Sequence, residues 1–287
     1  MKNILIVGAK SFVGEAIRNW LCEKHTGLYS VDVIDAVDGA WKAADFSKYD
    51  AVYQVAGIAH VKKETPELEP LFFEINEKMS YDIATAAKSA GVEQYIYMST
   101  KGVYPSFVPI IDKDTPTGPR KTYGKSKLAG EMKLAELADD TFKVAIMRTP
   151  PVYGPNAPGS FDMLLRKLDK MFVFPAYKNQ RSMIFIDNLC EFVHLVIQRE
   201  LDGILVPQDA RYVCTSDIVR VGAKLTGKKV LFDYISWPLI ALMVKKSYRF
   251  KKVFSSSVFV HNFSINDEEY YVCGFEEAMK RILNETL

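Results

Sequence analysis

The stretch NILIVGAKSFVGEAIRNWLCEKH (Asn3–His25) decides the fold. NILIV is an unbroken apolar run of strand length, the mark of a parallel strand buried on both faces. It stops at Gly8. Helical spacing then takes over, with Phe12, Ile17 and Leu21 on one side. A strand that ends on glycine and turns at once into a helix aims the free N–H groups of the helix start, and the positive end of its dipole, at one point. That point suits a pyrophosphate. Gly8 and Gly14 fill the outer two places of a dinucleotide fingerprint and Ser11 the middle one, with Phe12 and Val13 opening the helix. Serine is small and its hydroxyl can donate to phosphate, but it narrows the backbone's freedom. A purely structural strand–turn–helix would use the same residues.

Downstream the rhythm repeats. LYSVDVID, YDAVYQVAG, VEQYIYMST and FKVAIMRTP read as further strands, separated by helices that include one over 76–90, closed by Gly91, and one over 123–137. Alternation at this spacing gives an α/β fold, a Rossmann-type doubly wound parallel sheet. The rhythm breaks in PPVYGPNAPG. The expected organisation is a dinucleotide-binding domain over 1–150, with 181–205 returning to it, and a smaller sugar-nucleotide-binding C-terminal lobe over 151–180 and 206–287. Such a lobe belongs at the carboxyl edge of the sheet, where ligands bind in these folds. WPLIALMVKKSYRFKK (Trp237–Lys252) is basic and amphipathic. It reads as a partly exposed helix with a solvated basic face, or as a segment for a membrane surface or partner.

The composition narrows the field. Of 287 residues 48% are hydrophobic and 25% charged, as in ordinary globular chains, and a net charge of +2 gives no sign of a nucleic-acid binder. The N-terminal apolar run is too short for a secretory signal, and no stretch has the length to span a bilayer, so a cytoplasmic protein is expected. Cys22, Cys190, Cys214 and Cys273 are scattered, with no CxxC or Cys/His cluster, which reads as reduced thiols without metal.

Candidate chemistry lies at the strand ends. Asp32 and Asp35 close the second strand, where a carboxylate accepts from adenosine ribose hydroxyls and repels a 2′-phosphate; this favours NAD and leaves NADP open. Asp45 and Phe46 are placed to meet adenine. Ala56 and Gly57 end the third strand with almost no side chain, which lets a nicotinamide ribose approach or simply lets a helix pack closely, and His60 just beyond can reach a substrate. In TYGKSKLAGE, Tyr123 and Lys127 share one helix face. A cation beside a phenol stabilises phenolate, so the pair can exchange a proton with a sugar hydroxyl near neutral pH. Ser99 and Thr100 end the fourth strand, placed to hydrogen-bond the same oxygen.

With these pieces together, the chain resembles the extended short-chain dehydrogenase/reductase family in its sugar-nucleotide epimerase/dehydratase branch. The resemblance rests on VGAKSFVG, AGIAHV, MSTKGVYP, YGKSKLAGE, MRTPPVYGP and RSMIFIDNL, in family order to about residue 195. It implies that Tyr123 is the catalytic proton donor and acceptor, Lys127 its ribose-binding partner, and Thr100, beside Ser99, the orienting hydroxyl. It further implies that Asn76 lies near the active centre, Pro150 contacts nicotinamide, and Arg181 clamps a substrate diphosphate. No position here matches the second phosphate-binding arginine of many epimerases; Arg211 and Arg249 are candidates without a motif behind them. The family's dehydratases carry Asp-Glu after the threonine. Here those places hold Lys101 and Gly102, which disfavours dehydration. What remains is C4 epimerisation of a UDP-hexose with bound NAD, in polysaccharide precursor synthesis, as in UDP-glucose 4-epimerase-like proteins. The alternatives are NAD(P)H-dependent reduction of a UDP-4-keto-6-deoxy sugar, as in capsule 4-keto reductases, and a non-catalytic dinucleotide-binding regulator. The family also implies a homodimer through the helices at 76–90 and 123–138, with Met79, Ile83, Leu128 and Met132 as its apolar positions.

Overall fold

A computed structural model of the chain describes residues 1–8, 10–36, 39–59 and 65–286. The elements open with β1 (Lys2–Val7), α1 (Phe12–Lys24), β2 (Tyr29–Ile34) and β3 (Ala51–Gln54). Helix α2 (Glu69–Phe73) runs through a π turn (Glu74–Lys78) into α3 (Met79–Ser89). Then come β4 (Gln94–Thr100), β5 (Ile110–Ile111), α4 (Thr122–Ala135), β6 (Lys143–Thr149), β7 (Val152–Tyr153), α5 (Ser160–Leu165), β8 (Val173–Pro175) and β9 (Ile184–Phe185). The chain continues with α6 (Ile186–Gln198), β10 (Gly203–Leu205), α7 (Thr215–Leu225), β11 (Leu231–Asp233), α8 (Trp237–Lys246), α9 (Tyr248–Phe254), β12 (Val258–Phe259) and α10 (Phe275–Thr286).

Six strands form a Rossmann-type parallel sheet in the order β10-β6-β4-β3-β1-β2. The apolar run of β1 is the reason for its central place: Ile4, Leu5, Ile6 and Val7 are all fully buried. From β1 the chain goes one way to β2 and the other way to β3, so the strand order reverses between β1 and β3, where a crevice for ligands opens in such sheets. Gly8 lies at that reversal. Its N–H donates to the Ile34 carbonyl (2.8 Å), while the Ala56 N–H donates to the Val7 carbonyl (2.9 Å). Gly8 has φ +107°, and a Cβ there would come within 2.6 Å of the Ala56 nitrogen, so no other residue fits.

The chain divides into two compact units. The first holds Met1–Ser106, Pro116–Thr149 and Leu189–Pro207; the second holds Phe107–Thr115, Pro150–Asn188 and Gln208–Leu287. The segment that returns to the sheet unit is thus Leu189–Pro207, and Phe107–Thr115 leaves that unit because β5 pairs with β12. The second unit is built on short parallel pairs, β5–β12, β7–β9 and β8–β11. At its centre Asp209 accepts from Tyr153 Oη (2.7 Å), Asn188 Nδ2 (2.8 Å) and the Phe185 N–H (3.1 Å). Burial outweighs these bonds and pushes the Asp209 carboxyl up to about 6.

The helix expected over 76–90 begins earlier, at Glu69, and contains the π turn. Helical periodicity alone does not show such a turn, because the chain keeps its helical dihedrals through it. Of the apolar positions assigned to a dimer, Ile83 is fully buried in the chain's own core and Met79 packs against that core, whereas Met132 is 63% exposed.

Candidate active site

The turn after β1 is held by Ser11. It caps α1: its Oγ accepts from the Gly14 N–H (3.0 Å) and donates to the Gly8 carbonyl (2.8 Å). The hydroxyl proton expected to meet phosphate is therefore already engaged within the turn. A Cβ on Gly14 would come within 2.6 Å of the Gly8 carbonyl oxygen, which explains the second glycine. Val13 is buried beneath the turn, and Phe12 opens the helix.

The two acids of the second strand separate. Asp32 lies within β2 opposite Leu5 and accepts from Tyr49 Oη (2.9 Å). Asp35 lies just past the strand, at its carboxyl end, and pairs with Lys10 Nζ (3.1 Å). The cation beside Asp35 comes from the turn after β1 and not from the strand. Asp45 caps a short 3-10 turn by accepting from the Ser47 N–H (3.2 Å). The Phe46 ring is only 4% exposed and packs in the core under the sheet, so it is not displayed for stacking on a base.

At the end of β3, Ala56 is buried and Gly57 exposed. A Cβ on Gly57 would come within 2.9 Å of Lys127 Nζ and 2.8 Å of Asn76 Oδ1. The π turn sets Asn76 there, fully buried. Its amide accepts from the Ile58 N–H (3.0 Å) and donates to the Ile58 carbonyl (3.0 Å) and to Ser126 Oγ (3.0 Å). Asn76 therefore clamps the strand-three loop to α4, beside Gly57 and Lys127. His60 lies outside the described residues.

Tyr123 and Lys127 lie one turn apart on α4. Thr100, the last residue of β4, caps the next turn through Oγ1 (3.0 Å from the Gly102 N–H), and its hydroxyl bonds the Tyr123 phenol. Burial nevertheless holds the Tyr123 pKa above its ordinary value. Lys127 Nζ donates to the Met98 carbonyl (3.0 Å) and lies over the Tyr97 ring, 4.4 Å from its centroid. Burial pulls its pKa down to about 7, with the nearby Glu131 charge opposing. The expectation that the lysine lowers the phenol does not describe this state: desolvation dominates, and the amine is directed at a carbonyl and a ring.

Ser99 does not join Thr100. Successive strand residues face opposite ways, and Ser99 Oγ donates to Glu131. Arg148 in β6 binds the same carboxylate through Nε (3.0 Å) and Nη2 (2.7 Å), and donates Nη1 to Tyr104 Oη (2.8 Å). Glu131 is 3% exposed and Arg148 8%. Sequence reading missed this cluster. The signal was present in YGKSKLAGE: Glu131 follows Lys127 by four residues, as Lys127 follows Tyr123, so all three share one face.

Pro150 and Arg181 belong to the second unit. Pro150 directly follows β6. Arg181 bridges Val213 and Ser257 through its backbone, donates Nη1 to the Lys252 carbonyl (3.3 Å), and has its pKa lowered by burial. Arg211 is taken up by Asp217 (2.8 Å). One further group was not foreseen. His25, Glu191 and His194 bring potential ligand atoms within 4.8 Å of one another. The two imidazoles lie flat against each other, centroids 3.5 Å apart and planes 9° from parallel, so their nitrogens do not converge on one point.

Residues 4–206 match the NAD dependent epimerase/dehydratase family. The UDP-glucose 4-epimerase of Vibrio cholerae is 29% identical over 245 residues, 76% of this chain and 74% of that protein. An Escherichia coli O157:H7 protein, N-acetyl-alpha-D-glucosaminyl-diphospho-ditrans,octacis-undecaprenol 4-epimerase, is 25% identical over 218 residues, 70% of this chain and 65% of that protein. Among solved structures, the dTDP-4-dehydrorhamnose reductase of Bacillus anthracis in complex with NADP superposes with a TM-score of 0.72 at 19% identity, covering 100% of both chains. Family and relatives together make this chain an NAD(P)-dependent enzyme. Among the described residues no helix is long and apolar enough to cross a membrane.

Proposed function

The chain belongs to the NAD dependent epimerase/dehydratase family, and from that premise we propose that it epimerises C4 of a UDP-hexose with a retained NAD, in polysaccharide precursor synthesis. The observation that carries this reading is Tyr123 beside Thr100 on one side and Lys127 on the other, next to a dinucleotide turn and past the carboxyl ends of the strands. The residues fit the cofactor. Gly8 and Gly14 let the turn close tightly on the chain's own backbone, which brings the start of α1 to the end of β1 with its N–H groups facing one point, and Gly57 borders the Lys127 amine.

In this reading the Gly8–Gly14 turn holds the pyrophosphate, Asp35 the adenosine ribose, and Lys127 the nicotinamide ribose. Bound NAD supplies the hydride acceptor and returns the hydride. Tyr123 takes the proton of the C4 hydroxyl as C4 becomes a ketone and gives one back when the alcohol re-forms on the other face. Thr100 orients that oxygen. Lys127, with a pKa near neutrality, carries part of a positive charge beside the reaction and stabilises negative charge on the oxygens. In the second unit, Arg181 offers a planar fork suited to diphosphate oxygens. One relative is named for a polyprenol-diphosphate sugar and another for UDP-glucose, so the diphosphate is the part those two names share. A homodimer would use the exposed face of α4 at Met132, and a cytoplasmic location accords with these substrates.

A second reading, reduction of a 4-keto sugar by NADPH, is favoured by two observations. Lys10 beside Asp35 offers a cation to a 2′-phosphate. Burial keeps the Tyr123 proton in place, ready for the alkoxide that a ketone becomes. Mass analysis of dinucleotide released from the denatured protein separates the two readings. Stoichiometric NAD, with interconversion of UDP-glucose and UDP-galactose, supports the epimerase. A protein that holds none, and turns over only with added NADPH and a keto-sugar, overturns it.

A further inference from the structure

The segment that the reaction leaves unused is Trp237–Lys252. Helix α8 buries only Ile240, and Trp237 and Leu239 are 58% and 57% exposed. The preceding loop extends this apolar surface: Tyr234 is 66% exposed and Ile235 90%. Leu231, in the strand before it, is paired with Val173, and both are exposed, as is Phe172. The display is built rather than slack. Asp233 Oδ1 accepts from the Ile235 N–H (2.8 Å) and the Ser236 N–H (3.2 Å), which fixes the loop that holds Ile235 out, and Pro238 starts the helix.

Charge adds to this surface. Lys245, Lys246, Arg249, Lys251 and Lys252 fall within eight residues, and no acid occurs from Tyr234 to Asn266. The whole chain carries only +2, so the positive charge is concentrated here. Such a surface has three possible occupants. A second copy meeting it across a two-fold axis would set these five cations against their own images. A protein partner needs matching acids and a shaped apolar face. An anionic bilayer needs neither fixed shape nor partner: it takes Trp, Tyr and aliphatic side chains at its interface and draws Lys and Arg to its headgroups. Helix α8 is about 15 Å long, half the hydrocarbon thickness, so it can lie in the interface but not cross it.

We propose that strand β11, the loop 234–236 and helices α8 and α9 form a docking surface for an anionic lipid bilayer. This membrane contact does not depend on which of the two reactions the enzyme performs. The test is flotation of the full chain with vesicles of phosphatidylcholine alone and with roughly one-third phosphatidylglycerol. Partition onto the anionic vesicles is expected to be at least about tenfold stronger and to fall with salt. Ile235→Asp with Trp237→Asp should abolish it, and Lys245→Glu with Lys246→Glu should weaken it about tenfold or more. Both pairs lie on exposed positions, and circular dichroism checks their folding. Brominated lipid should quench Trp237 fluorescence in the wild type, with Trp237→Phe as the reference. Equal or absent binding to the two vesicle types overturns the proposal. So does a wild-type dimer that the Ile235→Asp, Trp237→Asp pair turns into monomer while vesicle binding stays nil; the surface would then serve protein association.

Discussion

Helix α4 buries two charged side chains: Lys127 and Glu131 are each 3% exposed. Helix α8 does the reverse, with Trp237 and Leu239 more than half exposed and a single buried residue. Both depart from the ordinary amphipathic helix, which turns its apolar side inward and its charges to water. The two departures are managed differently. On α4 each buried charge has partners inside the unit: a carbonyl and a ring for the lysine, a bidentate guanidinium and a hydroxyl for the glutamate. On α8 the exposed apolar groups stay uncovered. A completed network marks chemistry done within the chain, and an uncovered surface marks a contact still to be made.

The largest expected effect tests the α4 side. Tyr123→Phe removes the proton that the proposed chemistry moves and leaves the dinucleotide turn untouched. Turnover should fall about 100- to 10,000-fold while dinucleotide binding, followed by fluorescence titration, stays near wild type. Unchanged turnover would remove the reason for reading α4 as the working face.

The Glu131–Arg148 pair comes next. Glu131→Gln leaves a buried guanidinium without its counter-charge, which costs about 3–5 kcal/mol. A urea midpoint should show it. Adding Arg148→Met should recover much of that loss, because an apolar replacement of a whole buried pair is often neutral. If the double variant is less stable than Glu131→Gln alone, the bonds of Arg148 to the rest of the cluster outweigh the ion pair.

Lys127→Met sets stability against function. In the protein without dinucleotide the lysine is buried with a pKa near 7, against 10.5 ordinarily. Burial therefore opposes its charged form. The penalty is full below about pH 7, where the amine is charged folded or unfolded, and fades as the pH rises toward 10.5. Lys127→Met should raise stability by about 0.5–2 kcal/mol at neutral pH, with the gain shrinking in alkali, and should lose turnover. Thermal melts across that pH range measure both the sign and its trend.

How far the sequence carried differs between the two helices for a physical reason. The sheet was legible because burial on both faces leaves a long apolar run, as in Ile4–Val7, and because glycine is forced where φ is positive, as at Gly8. Tyr123 and Lys127 were legible because four-residue spacing fixes a helix face. The role of Asn76 as a clamp was unread because it sits in a π turn, which leaves no periodic trace, and Ser99 was set beside Thr100 although strand alternation turns it toward Glu131. The Lys10–Asp35 pair was unread because it joins a turn to a strand end across 25 residues. On α8 the amphipathic pattern was plain in the sequence. Which side would stay uncovered was not, since that depends on short β pairs such as β8–β11, whose partners lie far apart in the chain.

The smallest effect sharpens the comparison by asking whether buried polarity alone marks a working site. His194 is 5% exposed, its Nδ1 lies 2.8 Å from Tyr29 Oη, and its ring stacks on His25. Burial, with the Glu191 charge adding, pushes the Tyr29 phenol up to about 12, so the phenol keeps its proton and shares a hydrogen bond with the His194 ring. Burial first, and then His25, hold the His194 pKa below its ordinary value. The unfolded chain therefore takes up this proton at a higher pH than the folded one. Its contribution to stability is whole above about pH 6.5 and is lost as the pH falls below that toward the folded-state value. His194→Gln keeps a hydrogen-bond partner for Tyr29 and removes the titration. Melting temperatures of the variant should decline less between neutral and mildly acid pH than those of the wild type, with turnover at neutral pH unchanged. Equal declines would mean that other groups set the acid limit. A loss of turnover at neutral pH would show that this cluster too is coupled to the chemistry, and that buried polar networks in this chain mark function wherever they occur.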